Sequence, residues 1–253
     1  MRDLLTVDIV IPVLNEAHVL ANSVAIVRRF ASEHLSCGWR IVVVDNGSVD
    51  GTDRVARALA GDFSDVTFLQ LVQRGRGRAL RCAWMQSHAD IVCYMDVDLS
   101  TDLSALPRII HKVAGEGFDI ATGSRLLRES KVKRSVRREL ISRVYNLFLK
   151  AVLGTRFSDA QCGFKALSRS AVERIVPLVQ DQSWFFDTEL LVSAERLGCR
   201  IADIPIIWIE DDDSRVKIVS TAWKDIQGVA RLRWHYWTLA AGMAGLFRLR
   251  RHP

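Results

Sequence analysis

Several features are missing from the sequence, and each absence removes a class of protein. No apolar stretch approaches the roughly 18 to 20 residues a helix needs to span a bilayer. The uncharged run from Tyr236 to Phe247 holds 12 residues. The five cysteines, at 37, 82, 93, 162 and 199, are odd in number and share no C-x-x-C spacing, which argues against a disulfide framework and a zinc ribbon. Proline is scarce, at 5 residues, and there is neither an internal repeat nor a low-complexity linker. Glycine-rich phosphate loops are also wanting: Gly75-x-Gly77 in "QRGRGRAL" lacks the full G-x-G-x-x-G and does not follow the first strand, so a dinucleotide fold is disfavoured. That stretch reads instead as a flexible, basic strand-to-helix connection. With neither an RNA-binding signature nor a helix-turn-helix spacing, no nucleic-acid partner is expected.

What remains is an ordinary globular composition, 49% apolar and 25% charged. A chain of 253 residues suits one large domain, or a domain with an appendage, rather than two full domains. The start, "MRDLLTVDIVIPVLNEA", meets Asp3, Asp8 and Pro12 where a signal peptide would run on apolar, so it reads as a first strand and a cytosolic setting is expected.

Strand-like runs at 7–13, 40–46, 66–72, 90–98 and 119–124 alternate with helical patterns, which predicts a mostly parallel α/β sheet with helices on both faces. Polar residues gather after the first, second and fourth runs: Asn15 and Glu16, Asp45 and Asn46, Asp96 and Asp98. Open parallel sheets bind ligands at that edge. On an extended chain Asp96 and Asp98 would point to the same side. Taken singly, Asp45 or Asp96 suits a turn or helix cap equally well. Together with Glu16, the carboxylates suit a magnesium-type ion, which takes one or two carboxylates and completes its shell with substrate phosphates.

The positive charge is concentrated. Between Arg125 and Arg156 stand ten Lys or Arg against Glu129 and Glu139, an excess larger than the net +6 of the whole chain. The segment continues into "LISRVYNLFLKAVL", with apolar residues at 140, 141, 144, 145, 148, 151 and 152 on one helical face. Such a helix is either a solvated face or one that lies in a membrane interface, its arginines forked onto phosphates. In "FFDTELL", Asp187 and Glu189 fall at a helix start, where an N-cap, a first-turn acid and a functional role all stay open.

Taken together, "IVIPVLNEA", "IVVVDNGSVDGT", "MDVDLSTD", "GSR", "KRSVRRELISRVYN", "SDAQCGFKALSR", "FFDTELL" and "DDDSRVK" resemble family 2 glycosyltransferases of the GT-A fold, over about residues 7–217. More closely they resemble the dolichyl-phosphate and polyprenyl-phosphate sugar synthases, the glucosyltransferase branch above all. The resemblance implies a domain over 1–217, with the basic acceptor and membrane segment at about 125–156 and a Trp-rich membrane-associating tail at 218–253. It implies that Pro12, Leu14, Glu16 and Asp45 line the nucleotide site, with Asp45 on the base. Asp96, Val97 and Asp98, near Ser100 and Arg125, would hold the diphosphate through Mg²⁺ or Mn²⁺, with Asp98 the principal metal ligand. Arg134, Ser135, Arg138, Arg215 and Lys217 would hold the acceptor phosphate or the donor diphosphate, and Asp187 would orient the acceptor or a sugar hydroxyl. Two departures bear on sugar choice: Leu99 and Asp213 stand where relatives often carry glycine.

The expected activity is inverting sugar transfer from a nucleotide-sugar, a UDP-hexose before a GDP-sugar, to a polyprenyl monophosphate. The protein would sit peripherally at the cytoplasmic membrane face, with or without a small membrane partner protein. The alternatives are the same fold with a glycan or diacylglycerol acceptor, a haloacid-dehalogenase-like phosphatase using Asp96 and Asp98, and a non-catalytic sugar-nucleotide-binding protein.

Overall fold

Runs of Val and Ile buried on both faces build the centre of the molecule. The computed structural model describes residues 5–210, 223–236 and 238. Strands β1 (Thr6–Val13), β2 (Gly38–Asp45), β3 (Val66–Gln70), β4 (Ile91–Met95) and β5 (Ile120–Ser124) alternate with helices α1 (Leu20–His34), α2 (Thr52–Asp62), α3 (Arg76–Gln86) and α4 (Ala105–Ala114). Then come β6 (Lys131–Lys133), α5 (Val136–Leu153), β7 (Phe164–Ser168), α6 (Arg169–Ile175), a 3-10 turn at Val176–Leu178, α7 (Phe186–Arg196), β8 (Ile201–Pro205) and β9 (Ile207–Ile209). A last helix, α8, covers 223–236.

The main sheet runs β3-β2-β1-β4-β7-β5-β8, with β7 antiparallel to both of its neighbours, so the sheet is mostly parallel as expected. One face packs on α1, α2 and α4, the other on α3, α5, α6, α7 and α8. The sequence reading passes over β7 because Lys165, second of its five residues, breaks any apolar pattern. It also takes "IADIPIIWI" as one strand. The structure divides that run at Ile206: β8 extends the main sheet, while β9 leaves it to pair with β6.

The packing of two amphipathic segments is defined by the fold. The predicted stripe on α5 is two faces. Tyr145, Phe148, Leu149, Val152 and Leu153 pack into the core, whereas Val136, Leu140, Ile141, Val144 and Leu147 are exposed. The part of the C-terminal segment that is described does not hang free of the domain. On α8, Asp225, Val229 and Leu232 are buried, Arg231 donates to Glu189 at 2.6 Å, and a side chain at Gly228 would run into the Phe185 ring at 2.4 Å. Trp223 and Trp234 lie on its exposed side.

Candidate active site

The carboxyl ends of β1 and β2 are sewn together. Asn15 and Glu16 donate their backbone N–H groups to the Ser48 and Thr52 hydroxyls, at 2.9 and 2.8 Å, and Val49 N–H donates to Asn15 Oδ1 at 2.9 Å. Asn15 takes the left-handed backbone (φ 57°) to make this corner. Pro12, Leu14 and Glu16 are half-buried along it. Asp45 ends β2 fully buried. Its Oδ1 accepts from Ser48 N at 3.1 Å, and its Oδ2 is buried with no partner among the described residues. An unmet acceptor of this kind is costly unless a ligand donor satisfies it.

The Asp-x-Asp pair lies one step beyond its expected place. Because β4 ends at Met95, Asp96 and Asp98 sit in the turn that follows, and the same-side argument from an extended chain does not apply. Asp96 turns to Arg76, whose Nη2 donates to Oδ1 at 2.5 Å. Partial desolvation pushes the Asp96 carboxyl up, Arg76 pulls it back, and Asp98 and Asp187 push it up again. Asp98 is exposed and accepts from Ser100 N at 3.0 Å. Val97 between them is buried. Leu99 has φ 52°, the left-handed conformation that favours glycine, and here a leucine adopts it. On the other side of Asp96 lies Gly163, where a Cβ would stand 1.9 Å from Asp96 Oδ2.

Arg76 was not among the expected site residues. It opens α3 at the carboxyl edge of β3, in the stretch read as a flexible connection. The two glycines beside it serve close packing rather than phosphate cradling: a Cβ at Gly75 would meet the Gln182 carbonyl at 2.3 Å, and one at Gly77 the Phe186 side chain at 2.6 Å. The rule that singled out the other strand ends applies to this one too. Trp184 and Tyr94 flank the Arg76 guanidinium, with ring centroids at 4.9 and 5.3 Å.

Asp187 is neither an N-cap nor open to substrate. Phe185 precedes α7 without a side-chain cap, and Asp187 is 2% exposed. Its Oδ1 accepts from Lys165 at 2.8 Å and from the Tyr94 hydroxyl, and its Oδ2 from Arg76 at 3.4 Å. Burial and the adjacent Asp187 raise the Tyr94 phenol well above its usual range, which keeps it a donor. The expected role was orienting an acceptor or sugar hydroxyl; the structure instead buries Asp187 between Lys165 and Arg76. Glu189 likewise faces inward, accepting from Asp181 N at 2.8 Å and from Arg231.

Arg125, expected at the nucleotide, forks onto fully buried Asp159 at 2.7 and 2.9 Å. Burial opposes ionisation of Asp159, but Arg125 and its hydrogen bonds hold the carboxyl below the ordinary carboxylate range. The pair fixes the turn that leads through Cys162 to Gly163.

The small β6–β9 sheet joins this edge to the basic helix. Ile209 N donates to Ser100 O at 2.9 Å, and Asp102 N to Ile207 O at 3.0 Å. On its far side β9 pairs with β6, which delivers Arg134 and Ser135 to the start of α5. Ser135 is the N-cap, its hydroxyl accepting from Arg138 N at 3.4 Å. Its own N–H donates to Glu210 at 2.9 Å, and Arg138 pairs with the same carboxylate. Arg134 is buried against Glu139 at 2.6 Å. Of the expected acceptor cations, Arg134 and Arg138 are thus brought beside the Asp-x-Asp loop but are already paired within the chain. Arg215 and Lys217 lie outside the described residues, as does Asp213.

Among the described residues no group of three or more His, Cys, Asp or Glu converges as a metal cage. Asp96 and Asp98 alone fit an ion that carries most of its shell from water and the substrate's phosphates, as magnesium does. A cavity of about 740 Å³ lined by Phe118, Thr155, Glu195, Arg200 and Asp203 opens at the amino ends of β5 and β8, the wrong edge for a parallel sheet's ligand.

This geometry agrees with the comparisons. The model for Glycosyl transferase family 2 matches residues 8–176. The glycosyltransferase AglD of Haloferax volcanii is 35% identical over 225 residues, covering 88% of this chain and 35% of its own length. Dolichyl-phosphate beta-glucosyltransferases of Dictyostelium discoideum and Saccharomyces cerevisiae are 27% and 28% identical, covering 92% and 90% of this chain and 76% and 74% of their own. The chain therefore spans about a third of the archaeal relative and about three quarters of the eukaryotic ones. Among solved structures, glucosyl-3-phosphoglycerate synthase from Mycobacterium tuberculosis in complex with UDP superposes with a TM-score of 0.69 over 90% of this chain and 80% of that one, at 22% identity, a likeness of fold. The phosphatase alternative falls with this topology, in which Asp96 follows the fourth strand of a GT-A sheet. The chain belongs to glycosyltransferase family 2, and it is a glycosyltransferase.

Proposed function

We propose that this enzyme transfers a hexose, with UDP-glucose the first donor to try, to the phosphate of a polyprenyl monophosphate at the cytoplasmic face of a membrane. The observation that carries the reading is the continuous path from the Asp96-x-Asp98 turn through β9 and β6 to the cationic start of α5. It sets an anion-handling edge beside a row of arginines that ends in an exposed apolar face. The names of the dolichyl-phosphate relatives support the acceptor, and the UDP complexes of the structural neighbours support the donor.

The chemistry asks little acid–base help. A phosphate monoester has a second pKa near 6, so its oxygen is an anionic nucleophile at neutral pH. That oxygen attacks the anomeric carbon as the bond to the donor diphosphate breaks, which inverts the centre and gives a β-linked sugar phosphate from an α-linked donor. The obstacle is bringing two anions together. Bound Mg²⁺ or Mn²⁺ would supply charge stabilisation of the leaving diphosphate on Asp96 and Asp98. Arg76, held between the Trp184 and Tyr94 rings and beside Asp96, would add a guanidinium charge facing the diphosphate. The buried, unmatched Asp45 Oδ2 awaits a donor such as the imide N–H of uracil. On the acceptor side the lipid phosphate displaces Glu210 from Ser135 N–H and Arg138, with Arg134, Arg215 and Lys217 adding charge. The exposed face of α5, with Trp223 and Trp234 of α8, rests in the membrane interface.

The test is an acceptor panel. Purified protein with Mn²⁺ and UDP-glucose, UDP-N-acetylhexosamines or GDP-mannose is offered polyprenyl phosphate, diacylglycerol and 3-phosphoglycerate. A lipid-linked sugar phosphate from polyprenyl phosphate is expected; transfer only to one of the other two acceptors overturns the reading.

A further inference from the structure

Lys165, the second residue of β7, is fully buried, where an ammonium is costly unless its charge is met. It is met by four groups: the Cys162 carbonyl at 2.6 Å, Asp187 Oδ1 at 2.8 Å, the Ala160 carbonyl at 3.3 Å and the Tyr94 hydroxyl at 3.5 Å. From core to edge the charges alternate: Lys165, Asp187, Arg76, Asp96. The links are unequal. Asp187 lies 2.8 Å from Lys165 and 3.4 Å from Arg76, whereas Arg76 lies 2.5 Å from Asp96. Short charge-assisted contacts are the strong ones, so Asp187 belongs chiefly to Lys165 and Arg76 chiefly to Asp96.

We propose that Lys165 is a positioning residue for the donor side: by neutralising Asp187 from the core, it keeps the Arg76 guanidinium turned outward to Asp96, where an anionic nucleotide diphosphate is handled. This rests on the reading of the Asp96-x-Asp98 edge as the donor site. Without the ammonium, Asp187 has Arg76 as its one remaining cation among these four groups. In a poorly screened interior an uncompensated carboxylate pulls strongly, so Arg76 is drawn inward and lost to the edge. The lysine's grip on the Ala160 and Cys162 carbonyls adds a second effect, since the same turn presses Gly163 against Asp96.

The test reads binding rather than turnover. Calorimetry with UDP and Mn²⁺ is run on wild type, Lys165→Met, Asp187→Asn and the double variant, with melting curves for each. Lys165→Met is expected to weaken UDP binding by about tenfold or more. The double variant regains most of that loss, because no carboxylate then competes for Arg76, a recovery that a purely structural lysine would not give. Wild-type affinity in folded Lys165→Met overturns the proposal, as does a folded double variant no tighter than the single. Where Lys165→Met fails to fold, the double variant decides alone: affinity within about threefold of wild type supports the proposal and a loss of about tenfold overturns it. Asp98→Asn is the separate control, for if it leaves UDP–Mn²⁺ affinity unchanged, the donor-site reading fails and not merely the role of Lys165.

Discussion

Gly163 shows how closely single residues set this site. A methyl group there would stand 1.9 Å from the tip of the Asp96 side chain, which can swing away, rather than from backbone, which cannot. Gly163→Ala is therefore expected to change stability by only about 1 kcal/mol. Metal-dependent turnover falls by about a hundredfold or more, as it does when an electrostatic transition-state contact is lost. Urea titration and initial rates at saturating Mn²⁺ check the two halves separately; equal losses in both would mean the glycine serves packing alone. At this scale the sequence was legible where a carboxylate follows an apolar run, as at Asp45, Asp96 and Asp98. Arg76 was hidden because glycines beside it look like flexibility until Phe186 and the Gln182 carbonyl are placed against them. Lys165 and Asp159 were hidden for another reason: a charge inside the fold is identified by its partner, and Asp187 and Arg125 are each more than twenty residues away in sequence.

Elements divide the same way. Strands β1 to β5 were readable from their apolar runs, but β6 and β9 hold three residues each, too few for any period, and they build the bridge from the Asp-x-Asp turn to α5. For α5 the spacing showed a stripe without showing which half the core would take. Truncating Leu149 to Ala should cost about 2 to 5 kcal/mol in urea unfolding. Placing Glu at Leu140, Val144 and Leu147 together should leave the melting temperature unchanged within error and lower binding to anionic vesicles by about tenfold. Unchanged co-sedimentation of that triple variant would remove α5 from the membrane contact.

Helix α8 contributes a pH signature. Asp225 is 4% exposed, and burial raises its carboxyl from 3.8 to about 6 against the opposing hydrogen bond from Gln161 at 2.8 Å. A folded-state value above the unfolded one means the native state binds this proton more tightly. Its stabilising contribution is thus complete below about pH 4 and is lost as pH rises to about 6. A shift of about two units corresponds to on the order of 3 kcal/mol. Asp225→Asn should flatten the stability profile between pH 4 and 6 and leave the protein more stable than wild type at pH 7.5; an unaltered profile would place the titration elsewhere.

For the whole molecule, a mostly parallel sheet puts the β1–β2 corner, the Asp-x-Asp turn and Arg76 on one edge, and a two-stranded annex hands that edge on to the cationic helix. The alternation of runs predicts the shared edge, and the composition of 125–156 predicts an anionic partner, but only pairing of β9 with β6 shows that the two segments are neighbours. The central claim, hexose transfer to a polyprenyl phosphate by this edge, is tested most directly by mass spectrometry and proton NMR of the lipid product. Purified wild type and Asp98→Asn are each incubated with UDP-glucose, a short polyprenyl phosphate and Mn²⁺. The account predicts a β-glucosyl phosphate lipid from wild type, reduced by about a hundredfold or more in the variant. An α-linked product, or no glucosyl lipid from wild type while UDP-glucose and Mn²⁺ are bound, would contradict it.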